Sequence, residues 1–195
     1  MFRKKESEFQ YHPGIEKIIE DVQGGGTIAR KELKGIIKEL PPIVVVGRDE
    51  NGLYHVVKTA LIQKVSEAVI EVDKNHVFKV GEAVMIGGDL KGASDLIVSI
   101  DKSNADKDVI TVAAAIGAGK KGQVLVLAKD KQNANSAKFK YIPEVVTMNK
   151  VDVTVANQQS GLLVRGTVNE SVMPYPVDDA IKALLKDIRF VYKQK

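Results

Sequence analysis

The chain has 195 residues and a mass of 21.2 kDa, with 44% hydrophobic and 28% charged side chains, which is ordinary globular usage and long enough to bury a core without a metal or disulfide. It contains no cysteine, which excludes thiolate nucleophiles, zinc ribbons, iron–sulfur clusters and a disulfide framework, and no run approaches the ~18 apolar residues of a membrane helix. The net charge of +4 comes from 29 basic and 25 acidic side chains whose signs interleave, as in KKESE and DKSNADKDV, a pattern of a solvated face and not of a phosphate-binding stripe.

Residues 1–40 read as a helical N-terminal arm. Ile15, Ile18, Ile19 and Val22 fall at helical spacing, and so do Leu33, Ile36, Ile37 and Leu40. Gly24-Gly25-Gly26 separates the two stripes as a hinge, Thr27 is placed to cap the second helix, and Pro41-Pro42 ends it. Both stripes pack on their own domain, or the hinged arm docks on a partner. Nothing in the opening MFRKKESEFQ resembles a signal peptide, so the expected origin is a reducing cytoplasm.

From residue 43 the period changes to two. Residues 43–47 are apolar, and Asp49-Glu50-Asn51-Gly52 predicts a hairpin turn into residues 53–59, with Asn-Gly favouring a type I′ geometry. Further strands are expected at 68–72, 83–86, 95–100, 109–116 and 123–128. Their spacing leaves no room for crossover helices, so residues 41–128 read as an antiparallel β-sandwich or small barrel. Residues 129–140, KDKQNANSAKFK, form a polar linker or long loop. Residues 141–195 read as a C-terminal β-hairpin, helix and strand unit. Residues 151–155 and 162–168 are its strands, joined through 157–161; Asp178 caps a short helix with Ile181, Leu184, Leu185 and Ile188 on its apolar stripe; residues 188–192 close the chain as a strand. The fold class is mainly β with helical additions.

No chemical motif survives its structural context. Gly117-Ala118-Gly119-Lys120-Lys121-Gly122 matches a dinucleotide fingerprint, but a strand follows where a helix must open, and Lys121 stands where a Walker loop needs Ser or Thr. Asp101, Asp106 and Asp108 lack the glycine and terminal glutamate of a calcium loop. His12, His55 and His76 are scattered, and no serine elbow is present. No enzyme, cofactor or metal site is expected.

The segment Leu162-Leu163-Val164-Arg165-Gly166-Thr167-Val168, then Met173-Pro174-Tyr175-Pro176, then Ile181-Lys182-Ala183-Leu184-Leu185 and Ile188-Arg189-Phe190-Val191, resembles the C-terminal part of head fibre or capsid decoration proteins of tailed bacteriophages, crAss-like phages included. The stretches 76–82, 100–106 and 109–112 are similar to the middle β-domain of the same proteins. The resemblance covers most of residues 60–195. It implies a virion structural protein on the outer capsid surface, made in the host bacterial cytoplasm. Its partners would be the major capsid protein and two further copies of itself in a homotrimer; the lack of a long apolar run speaks against a membrane, and the interleaved charge speaks against nucleic acid as a partner. Phe2, Arg3, Lys4, Lys5, Phe9 and Tyr11 are then candidates for capsid docking, as aromatic anchors with basic neighbours. Arg165 and Tyr175 are candidates for the subunit interface, although Tyr175, locked between two prolines, is expected rather to pack on its own helix, since a buried Tyr usually serves its own core. The alternative function is a cytoplasmic nucleic-acid-binding β-barrel module using the basic chain ends.

Overall fold

The computed structural model describes residues 14–87, 92–133 and 136–192. Its first half runs β1 (Ile15–Asp21), β2 (Gly26–Ile28), β3 (Glu39–Leu40), β4 (Val45–Arg48), β5 (Tyr54–Val56), β6 (Thr59–Ser66), β7 (Val69–Asp73) and β8 (Ala83–Ile86). Then come β9 (Ser94–Asp101), β10 (Lys107–Val112), β11 (Val124–Ala128), β12 (Val145–Thr147), β13 (Val151–Asp152), β14 (Gln158–Ser160) and β15 (Leu162–Asn169). A 3-10 turn (Glu170–Val172), helix α1 (Asp179–Leu184) and β16 (Ile188–Val191) complete the chain.

Strands β6 to β11 close into a six-stranded barrel in the order β10-β7-β6-β11-β8-β9. Its neighbouring strands all pair antiparallel, as the short connections require. The barrel is an insertion between β5 and β12. The strands on either side of it form one eight-stranded sheet, β1-β15-β12-β4-β5-β2-β14, with β16 added parallel to β15. Strands β4 and β5, grouped by sequence with the middle β-region, therefore pair within a sheet that also holds β12, β14, β15 and β16.

Strand β11, VLVLA, is buried along its whole length because it has two apolar faces. Leu125 and Leu127 point into the barrel with Ile62, Ile70, Val72, Phe78 and Ile110. Val124, Val126 and Ala128 point outward, where they join Val146, Leu163 and Val168 of the sheet and Ile181 and Leu185 of α1. That outer cluster welds barrel, helix and sheet together. The far side of the sheet has its own core of Ile28, Val46, Tyr54, Val56, Leu162 and Tyr175, capped by Leu33 and Leu40.

Among the described residues the expected helical N-terminal arm does not form. Residues 15–21 are strand β1, and the described residues hold one α-helix, α1. Strand β15 offers a full row of backbone partners, from Ile15↔Val168 to Asp21↔Leu163, and three register irregularities let the helix-spaced apolar residues be carried on a bulged strand. Ile18 and Ile19 consequently stay more than half exposed. The glycine triplet is no helical hinge. Gly24 and Gly25 adopt φ of 80° and 71°, and a Cβ on Gly26 would sit 2.6 Å from the Tyr54 ring, so the triplet is a tight β1–β2 turn pressed on the sheet. Thr27 lies inside β2 and caps nothing. The second stripe forms hydrogen-bonded turns, Lys34 N–H to Arg30 O and Ile37 N–H to Leu33 O, which Gly35 at φ 82° interrupts before a helix can build.

The hairpin at 49–52 is present between β4 and β5, but only Gly52 takes a positive φ (82°), and Asp49 Oδ1 accepts from the N–H groups of Asn51 and Leu53. It is a side-chain-stapled longer loop, not a type I′ turn. The expected pairing of 151–155 with 162–168 does not occur: β13 pairs with β3 and β14 with β2. Helix α1 begins as read, with Asp178 Oδ1 accepting from the Ile181 N–H at 2.8 Å.

Candidate functional site

Phe2, Arg3, Lys4, Lys5, Phe9 and Tyr11 lie outside the described residues. Arg165 is exposed on β15, paired across the ladder with Glu20 of the edge strand β1. Tyr175 is 7% exposed and packs in its own chain, in the core on the far side of the sheet. The structure thus holds these two residues on different surfaces, one facing solvent and one facing the core.

Two polar constellations escaped the sequence reading. The first is centred on Glu32, carried by the turn segment after β2. Its Oε1 accepts from Lys140 Nζ at 2.6 Å and from the Tyr141 hydroxyl at 2.7 Å, while Oε2 lies 3.5 Å from His55 Nδ1. His55 on β5 meets Asp49 Oδ2 through Nε2 at 3.1 Å and stacks on Tyr141 with ring centroids 4.1 Å apart and planes 9° from parallel. Close by, Lys58 has no exposed side-chain surface and donates to Glu82 at 2.5 Å and to the Glu32 backbone carbonyl. Glu82 in turn accepts from the Lys79 N–H at 2.8 Å.

Burial opposes ionisation of Glu32, yet contacts from His55, Lys140 and Tyr141 hold its carboxyl down at about 2. Burial likewise works against a charged His55, and the carboxylates of Glu32 and Asp49 outweigh it, raising the imidazole above its ordinary value. Lys58 is pushed down by burial and partly restored by Glu82. Cations and anions balance, and both His55 ring nitrogens face carboxylates, Nε2 in a hydrogen bond to Asp49 and Nδ1 in a longer contact with Glu32. What the arrangement does is clamp: it ties the 30–37 turns, the β4–β5 hairpin, the start of β6 and the 138–144 segment at the seam of sheet and barrel.

The second constellation lies at the barrel mouth. His76 Nδ1 accepts from the Phe78 N–H at 3.3 Å, which leaves the proton of a neutral ring on Nε2, 3.2 Å from Asp108 Oδ2. Asp108 is also met by Lys74 Nζ at 2.8 Å through Oδ1. Burial, reinforced by the charge of Lys102, pushes the His76 imidazole down to about 4. These groups open onto a crevice of about 530 Å³ walled by Ile36, Ile37, Pro41, Pro174 and Tyr175. A second hollow of about 450 Å³ shares Lys74, Asn75, His76, Pro174 and Tyr175 with it. Neither constellation has a local sequence signature: Glu32 and Tyr141 are 109 residues apart, and His76 and Tyr175 meet only because the 173–176 corner folds over the barrel mouth.

Among the described residues no group of three or more His, Asp or Glu is arranged to hold a metal ion, and no helix is long and apolar enough to cross a membrane. No protein family, no curated protein and no solved structure matches the chain.

Proposed function

We propose that this protein is a non-enzymatic virion structural protein, a head fibre or decoration protein on the outer surface of a bacteriophage capsid. It is made in the host bacterial cytoplasm, stabilises the shell or presents a surface for host attachment, and works through contacts with the major capsid protein and with its own copies in a homotrimer. The observation that carries this reading is that the C-terminal segments bearing the resemblance are consecutive elements of the structure. Strand β15 with its Arg-Gly-Thr-Val sequence, the Pro-Tyr-Pro corner, α1 and β16 follow one another; β15, α1 and β16 share one core, and Tyr175 of the corner packs in the core on the far side of the sheet. Edge strand β1 lies along β15, so the basic and aromatic residues 2–11 precede the very strand that borders this unit. The outer edge of β1 has no strand partner among the described residues and carries the exposed Ile18 and Ile19, which suits it to receive a partner surface. Several such contacts per trimer would multiply a modest individual affinity through avidity.

The test is attachment to capsids purified without this protein, read by sedimentation of capsids with bound chain. Removal of residues 1–13 leaves β1 in place and should abolish co-sedimentation while the truncated chain keeps the unfolding transition of the intact one. Undiminished attachment of that truncation would refute the docking role of Phe2, Arg3, Lys4, Lys5, Phe9 and Tyr11. Failure of the intact chain to bind any capsid would refute the virion reading.

A further inference from the structure

We propose that the crevice between the barrel mouth and the Pro174–Pro176 corner is a binding site for an organic monocarboxylate carried on a ring. Its dimensions, about 530 Å³ with an adjoining 450 Å³, suit a ligand of one or two rings. Its lining is mixed, with an apolar part formed by Ile36, Ile37, Pro41, Pro174 and Tyr175. Ile36 and Ile37 stand on one side, and Pro174 and Pro176 fix the backbone on either side of Tyr175, so a flat ring meets a surface that loses little freedom on binding. Water held in such a slot is displaced by an apolar face at a gain.

Charge sets the rest of the ligand. Lys74 is committed to Asp108 at 2.8 Å and to the Lys102 backbone carbonyl at 3.2 Å, and Glu39 at the crevice edge pairs with Lys150 at 3.0 Å. His76 is neutral at physiological pH. Lys102 is exposed, lines the crevice and has no acidic partner among the described residues. One uncompensated cation fits one negative charge, which favours a carboxylate over a doubly charged phosphate. Asn75, exposed at the rim and held at φ 70°, adds an amide for further polar groups of the ligand, and Tyr175 adds a hydroxyl with no hydrogen-bond partner among the described residues. The chemistry is met equally by an aromatic acid and by a sugar acid. The inference stands on the crevice and is independent of the capsid reading.

The experiment is calorimetric titration of the full chain with benzoate and with glucuronate, using benzyl alcohol and glucose as uncharged counterparts and inorganic phosphate as a bare anion. At least one carboxylate should bind saturably and about tenfold more tightly than its uncharged counterpart, and which one does so identifies the ring class. Lys102→Gln, a change at an exposed side chain, should weaken that binding about tenfold with an unchanged thermal midpoint. No saturable binding of either acid up to ~10 mM overturns the proposal. So does binding that Lys102→Gln leaves intact, or phosphate binding as tight as that of the carboxylates.

Discussion

His55 and His76 are both buried, and their surroundings drive them in opposite directions. Carboxylates on two sides raise His55, so its contribution to stability is complete below the ordinary imidazole value of 6.5 and fades as pH rises through the raised one. Burial and Lys102 depress His76 to about 4, so the unfolded chain binds the proton more readily, and its contribution is complete above 6.5 and declines as pH falls from there toward 4. Thermal midpoints of wild type, His55→Gln and His76→Gln between pH 5 and 9 should show this. The deficit of His55→Gln should be largest at the acid end and shrink with rising pH, whereas that of His76→Gln should shrink on acidification. Parallel profiles would contradict the assigned environments. Staying at or above pH 5 keeps Glu32, held down at about 2 against its ordinary 4.5, out of the titration. Lys58 makes a companion case. Its side chain is wholly buried against Glu82, so Lys58→Met strands a carboxylate and should cost about 3 kcal/mol in urea unfolding, part of which Lys58→Met with Glu82→Gln recovers.

Strand β1 is where local pattern and tertiary partner disagree most plainly. Its apolar residues obey a helical spacing, but an isolated helix of seven residues is marginal, and β15 supplies a ladder that the segment can join at once. The join depends on Gly166. A Cβ there would lie 2.3 Å from the Lys17 backbone oxygen, which gives the glycine in the Arg-Gly-Thr-Val sequence a physical reason. Gly166→Ala should therefore cost about 2 kcal/mol in denaturant unfolding, by forcing β1 off its partner. Because Ile15 packs on the core at the sheet–barrel seam, removal of residues 1–23 should lower the unfolding midpoint and expose dye-binding apolar surface, whereas removal of 1–13 should not. Strands β7 to β11 and helix α1 were legible within a few residues, since alternation, turn residues and the Asp178 cap are local signals. The pairing of β13 with β3 and of β14 with β2 was not, because short polar strands carry no mark of which distant edge they will join.

At the scale of the molecule, the barrel and sheet are joined by an apolar seam beside a charge-balanced clamp, and basic and acidic side chains interleave along the chain. Association through packed surfaces should then respond weakly to salt. Light scattering of the intact chain at low and moderate ionic strength should give the same mass, near three times 21.2 kDa for the proposed trimer. Binding to nucleic acid that falls steeply with salt over the same range would favour the alternative of a nucleic-acid-binding barrel.

The sequence by itself determined the mainly β character, the freedom from thiol chemistry, most barrel strands and the capped C-terminal helix. Each of these follows from residue composition or from patterns spanning fewer than about ten residues. Tertiary structure alone decided that the N-terminal segment is an edge strand, that the barrel is inserted into a sheet built from both ends of the chain, and that Glu32 meets Tyr141 while His76 meets the Tyr175 corner. These are pairings across long stretches of chain. Their energy comes from burying one specific face or charge against another, and that choice is made only when every competing partner is present in the folded molecule.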